Sequence, residues 1–119
     1  MVASEFERAL RLMRRRDPQV AEDGFGLLQQ IAGEHVDELI VEFGREADHG
    51  LRCWLLELVG DARSPRAFDL LVAQLQSEDE SLRDWAGRGL RLLGTKEARR
   101  VLWQHEQNQP PGAAPALGP

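Results

Sequence analysis

The chain is expected to be all-α, an α-α superhelix in which an N-terminal cap helix precedes three stacked helix pairs. Two observations predict this. Asp17, Asp48 and Asp79 stand 31 residues apart, and the apolar residues behind them keep that spacing without a gap: Val20, Leu51 and Leu82; Leu28, Val59 and Leu90; Val36, Ala67 and Ala98; Leu39, Leu70 and Val101; Ile40, Leu71 and Leu102. A fixed period of about 20–50 residues marks a solenoid, whose units bury their apolar faces only by stacking on one another. Composition agrees: 42% of residues are apolar, only 6% are aromatic, and β-branched residues are too scarce for a sheet.

The elements come in order along the chain. Ser4-Glu5-Phe6-Glu7 is a capping-box pattern, and Phe6, Leu10 and Met13 continue at helical spacing. This predicts a cap helix over residues 3–16, with Arg14, Arg15 and Arg16 in a last turn where positive charge opposes the helix dipole. Repeats are expected over about 17–47, 48–78 and 79–107, each divided into a helix A and an inner helix B, so that residues 1–107 form one domain.

In the first repeat Asp17-Pro18 supplies an N-cap and a proline at the first helical position. Helix A is expected to end at Gly33, and helix B carries Val36, Leu39, Ile40 and Phe43 on one face. In the second, helix A holds Leu51, Trp54, Leu55, Leu58 and Val59 and stops at Gly60. Ser64-Pro65 then starts a helix B that is apolar nearly all round from Ala67 to Leu75, which suits a central position. The third opens on Ser77-Glu78-Asp79-Glu80, read as another capping box. Its helix A ends at Leu93-Gly94, and Thr95 caps a helix B with Ala98, Val101 and Leu102. Residues 108–119 carry no charge and four of the six prolines, so a disordered tail is expected there.

The segment Asp79-Glu80-Ser81-Leu82-Arg83-Asp84-Trp85-Ala86, through Leu90, Leu93 and Gly94, resembles the first helix of a HEAT-like repeat, in particular the short bacterial kind also found in phycobilisome lyase subunits. Asp48, Leu51-Arg52, Trp54 and Gly60 repeat the pattern. The first copy departs from it, with Ala21 and Asp23 where the arginine and tryptophan would stand. The resemblance implies an armadillo-like helical scaffold and a role in protein binding, as in adaptors and immunity proteins. Regulatory or lyase-type enzyme subunits and nucleic-acid-binding proteins also use such repeats, so all three classes are implied in principle.

Charge and residue chemistry narrow the choice. The net charge of −5 disfavours indiscriminate binding to nucleic acid or anionic membrane. No apolar run approaches the roughly 20 residues that span a bilayer. One cysteine excludes an intrachain disulfide, the first residues show no secretory leader, and a cytoplasmic location is expected. His35, His49 and His105 lie in different repeats and are read as solvated or core-edge side chains. Cys53 is read as an inert packing residue with no neighbouring base. Gly24 and Gly26 fall inside a helix, where they read as allowing close packing. No catalytic residue, metal site or cofactor is expected.

The charges on helix B are the informative ones. The first copy presents Glu34, Asp37, Glu38 and Glu42, the second Arg66 and Asp69, and the third Lys96, Arg99 and Arg100. At one period position the sign reverses, from Glu38 through Asp69 to Arg100. Trp103 shares a position with Val41 and Val72, on the last helix B with no repeat after it. These residues (Glu34, Asp37, Glu38, Glu42, Arg66, Asp69, Arg99, Arg100 and Trp103) are the expected contacts of a protein partner docked along the helix B face. The chain itself is expected to be a monomer or weak dimer.

Overall fold

A computed structural model describes residues 3–108. These fold into α1 (Glu5–Met13), α2 (Pro18–Ile31), α3 (Val36–Arg45), α4 (His49–Asp61), α5 (Phe68–Leu75), α6 (Glu80–Leu93) and α7 (Lys96–Gln107), with 3-10 turns at Ala32–Glu34 and Pro65–Ala67; no strand occurs among them. The expected tail lies outside the described residues, apart from Asn108.

The helix starts obey local chemistry. Asp17, Asp48 and Asp79 are all N-caps, and their carboxylates accept from Val20 N (3.3 Å), Leu51 N (3.0 Å) and Leu82 N (3.1 Å). Each satisfies an amide that the helix leaves unpaired, an effect of about 1 kcal/mol. Ser4 and Glu7 form the expected capping box, Ser64 caps the 3-10 turn, and Thr95 accepts from Ala98 N at 3.0 Å.

Three boundaries differ from expectation. The cap helix stops at Met13 rather than residue 16, so Arg14 is its C-cap and Arg15 and Arg16 fall outside it. Asp17 must be extended to precede Pro18, and Arg14 finds carboxylates on and just after α3 instead. At the third repeat the N-cap is Asp79; Ser77 Oγ accepts from Asp79 N and so supports the cap without being it. Gly33 lies within a 3-10 turn, after α2 has already ended at Ile31.

Helices adjacent in the chain pack in pairs. α1 packs on α2, α3 on α4 and α5 on α6, so each helix of this set is covered by the next one along the chain. α2, α4 and α6 pack in succession, and α7 lies against α6 and α5. The described part of the chain measures 54 × 28 × 23 Å. One continuous core runs from Phe6 and Met13 through Leu28, Leu39, Leu55 and Leu71 to Leu90 and Ala98.

Two contacts depend on missing side chains. A Cβ on Gly24 would stand 2.7 Å from Ala9 O and 2.8 Å from Leu12 Cβ, so α1 and α2 meet backbone to backbone there. Ala21, buried on α2, stands where the later copies carry Arg52 and Arg83. A Cβ on Gly60 would stand 2.9 Å from Gly89 Cα, so α4 and α6 touch in the same way. Gly26, by contrast, faces open space.

The buried stripe changes register between repeats. Val36, Leu39 and Phe43 are buried on α3, whereas Ala67, Leu71 and Leu75 are buried in and after the second 3-10 turn. Phe43 corresponds to Gln74 and Gly44 to Leu75, so the large apolar side chain moves by one residue and the stripe moves with it. Ile40 and Leu70, expected in the core, are accordingly only partly buried, and Val101 and Leu102 on α7 are partly buried too. α5 is also less enclosed than its composition suggests: Ala73 is exposed, and Phe68, Leu70 and Val72 are partly buried.

Candidate functional site

α1 and α3 lie side by side and parallel. Their amino ends are joined by the stacked rings of Phe6 and His35, with centroids 4.9 Å apart. Their carboxyl ends are joined by Arg14, which contacts Glu42 at 3.2 Å and Glu46 at 2.9 Å. Between them runs a groove of about 660 Å³. Its apolar lining is Phe6, Leu10 and Val41, and Val41 is 48% exposed. Glu7, Asp37 and Glu38 rim the amino end, while Arg11, Arg14, Glu42 and Arg45 rim the other. The groove is therefore acidic at one end and mixed to basic at the other.

Two of its carboxylates, and Glu46 beyond its Arg14 end, are shifted toward the ionised form. The Ser4 backbone N–H and hydroxyl lower the Glu7 carboxyl from its ordinary value, and the Arg66 guanidinium does the same for Asp37. Burial pushes Glu46 up, but hydrogen bonds from Asp48 N–H and Arg14 outweigh it and the net shift is downward.

The expected partner-contact residues fall in three places. Asp37, Glu38 and Glu42 line the groove. Each is already engaged: Asp37 with Arg66 of the next unit (2.8 Å from Nε to Oδ1), Glu38 with His35, and Glu42 with Arg14 and Arg45. Glu34, on the 3-10 turn, and Asp69, on α5, form no ion pair among the described residues. Arg99, Arg100 and Trp103 lie on α7, away from the groove. Arg99 donates to Gly94 O at 2.6 Å, Arg100 forms no ion pair among the described residues, and Trp103 is 61% exposed. α1 adds Arg11 and Arg14 to the groove, beyond the charges that helix B supplies.

One period position links these places. Leu10, Val41, Val72 and Trp103 stand 31 residues apart on α1, α3, α5 and α7. Leu10 is buried, Val72 is partly buried, and Val41 and Trp103 are exposed. The two exposed ones, Val41 and Trp103, thus stand at one period position.

Sequence reading missed two arrangements. The arginine shared by the second and third repeats is a clasp: Arg52 donates to Phe43 O and Glu46 O, both at 3.0 Å, and lies over the Phe43 ring, while Arg83 donates to Ser77 O at 2.8 Å. Each ties off carbonyls at or just beyond the end of the preceding helix B, where a helix leaves acceptors unpaired. The other arrangement is a correction. Cys53 does have a neighbouring base, because His49 stands one helical turn before it, and the i, i+4 spacing was the signal. His49 Nε2 lies 3.8 Å from Cys53 Sγ and 2.7 Å from Asp79 Oδ2.

That trio lacks catalytic geometry. A nucleophile–base–orienter relay uses both ring nitrogens of the histidine, whereas here thiol and carboxylate meet the same one. Burial pushes the Cys53 thiol up, and the Asp79 charge pushes it further, so the thiolate is disfavoured. Among the described residues, no three His, Cys, Asp or Glu side chains are placed to hold a metal ion. No helix among them is long and apolar enough to cross a membrane.

No protein-family model, curated protein or solved structure matches this chain.

Proposed function

We propose that the chain is a short HEAT-like solenoid acting as a non-catalytic protein–protein interaction module, of adaptor or immunity type, that docks a partner along the face formed by α1, α3, α5 and α7. The observation that supports this reading is the apolar stripe Val41, Val72 and Trp103, flanked at a neighbouring period position by Glu38, Asp69 and Arg100. An apolar centre with a charged border of changing sign suits a partner held by desolvation and oriented by charge. The ungapped period and the covering of α1, α3 and α5 by the next helix support the solenoid reading.

The test starts from a partner isolated by pull-down and titrates it against folded variants. Arg99→Glu with Arg100→Glu should weaken binding, as should Glu38→Lys, and both losses should shrink as added salt shortens the screening length to a few ångströms. Circular dichroism should show unchanged helix content, because exposed charges add little to folding. Unchanged affinity for both variants would move the site to the outer helices and end this proposal.

A further inference from the structure

We propose that this face is self-complementary and that it pairs with a second copy of the same chain; the inference rests on the docking-face reading above and names its partner. Val41 and Trp103 are two of the three large apolar side chains exposed among the described residues. They occupy one period position at opposite ends of one face, two repeats apart. On the amino side of Val41 the charges are acidic (Glu7, Asp37 and Glu38) and on the amino side of Trp103 they are basic (Lys96, Arg99 and Arg100), while on the carboxyl side Arg11, Arg14, Glu42 and Arg45 stand by Val41 and Glu106 by Trp103. On both helices the charged residue precedes the apolar one by three positions, so it lies one turn nearer the amino end. Each patch thus matches the other in chemistry and in spacing, yet the two sit on separate helices of the same face.

Laying α7 of one copy parallel over the α1–α3 groove of another sets Arg100 against Glu38. It also sets Trp103 on the lining of Phe6, Leu10 and Val41. The uncharged Gln107 then meets the Arg45 end. The antiparallel alternative would bring Arg99 and Arg100 beside Arg14 and Arg45, which like-charge repulsion opposes. A two-fold axis parallel to the helices and close to α5 turns the face over while preserving helix direction. It exchanges the two ends, so both α7–groove contacts form at once and the pair closes as a dimer. The half-buried Val72 lies near that axis.

The experiment is sedimentation equilibrium of the full chain from low micromolar to several hundred micromolar, at low and high salt. Wild type should pass from the 13.4 kDa monomer to a dimer and stop there. Trp103→Ala should weaken the dimer by at least about tenfold, since aromatic anchors dominate such contacts. Arg100→Glu alone and Glu38→Arg alone should each weaken it by about fivefold or more, because each places like charges together twice per dimer. Mixing those two variants should restore association, because both 38–100 contacts of the mixed pair then join opposite charges; the double variant Glu38→Arg with Arg100→Glu, in which both contacts are again opposite, should likewise dimerise. A monomer at every concentration overturns the self-pairing and leaves the docking face to its own titration. A dimer indifferent to all three single substitutions overturns self-pairing through this face and leaves the docking face to its own titration. Open-ended growth, or no restoration in the double variant, overturns the two-fold arrangement.

Discussion

α1 and α7 are similar helices with different fates. Each has a hydroxyl N-cap, each runs about three turns, and each carries apolar residues at helical spacing. α1 buries Phe6, Ala9, Leu10 and Met13, whereas α7 buries Ala98 alone and leaves Trp103 in solvent. The difference lies in the next helix along the chain. α2 comes back across α1, as α4 does across α3 and α6 across α5, and no described helix does so for α7. Burial of an inner helix therefore comes chiefly from its successor, and amphipathicity alone does not secure it.

The largest effects should separate the two ends. Met13→Ala should cost about 2–5 kcal/mol, because the side chain is 1% exposed and its loss leaves a cavity that the neighbours only partly fill. Trp103→Ala, despite removing far more atoms, should stay within about 0.5 kcal/mol in dilute denaturant titrations. A loss of several kcal/mol for Trp103 would show that α7 is covered in solution and would break the comparison.

A smaller contrast sits within α2. Gly24→Ala should destabilise by about 1–3 kcal/mol, since the new methyl meets the backbone of α1, which cannot yield as a side chain tip can. Gly26→Ala should stabilise by up to about 1 kcal/mol, because nothing lies within 4 Å and alanine is the better helix former. Equal effects would mean that α1 is not held where Gly24 admits it.

The caps sharpen the comparison further. Ser4→Ala should cost about 1 kcal/mol of global stability. Thr95→Ala should cost less globally and show instead as faster amide exchange confined to α7, if that helix opens on its own.

The smallest effect is an acid one. Glu46 has its folded pKa below the ordinary 4.5, so its contribution is complete above that value and is lost as pH falls through the lower, folded one. Glu46→Gln should flatten the stability profile in that acid range. A profile with the wild-type slope would assign the acid sensitivity elsewhere.

Much of this architecture is legible in the sequence because it is local. A carboxylate before a helix caps it whatever packs above, and so Asp17, Asp48 and Asp79 can be read directly. Side-chain registers are less legible, because burial depends on neighbours from other units. Replacement of Phe43 by Gln74 moves the core stripe of α5 by one residue, and no single-helix pattern announces that. The groove is half legible: Asp37, Glu38 and Glu42 stand out by their charge. Arg11 and Arg14 do not, because a cap helix reads as a cover and not as a wall. The Cys53–His49 pair is readable from its spacing alone. Its Asp79 partner comes from the next repeat, and only folding brings it near.

The arginine clasps imply an order of release. Arg52 and Arg83 hold backbone carbonyls, and neither a guanidinium nor a carbonyl titrates in any range where the fold survives. Arg14 instead holds carboxylates, which acid neutralises and salt screens. Of these three arginine clasps, only the first can sense the solution. Acidification should therefore release the Arg14 clasp between α1 and the end of α3 while the other two clasps stay shut.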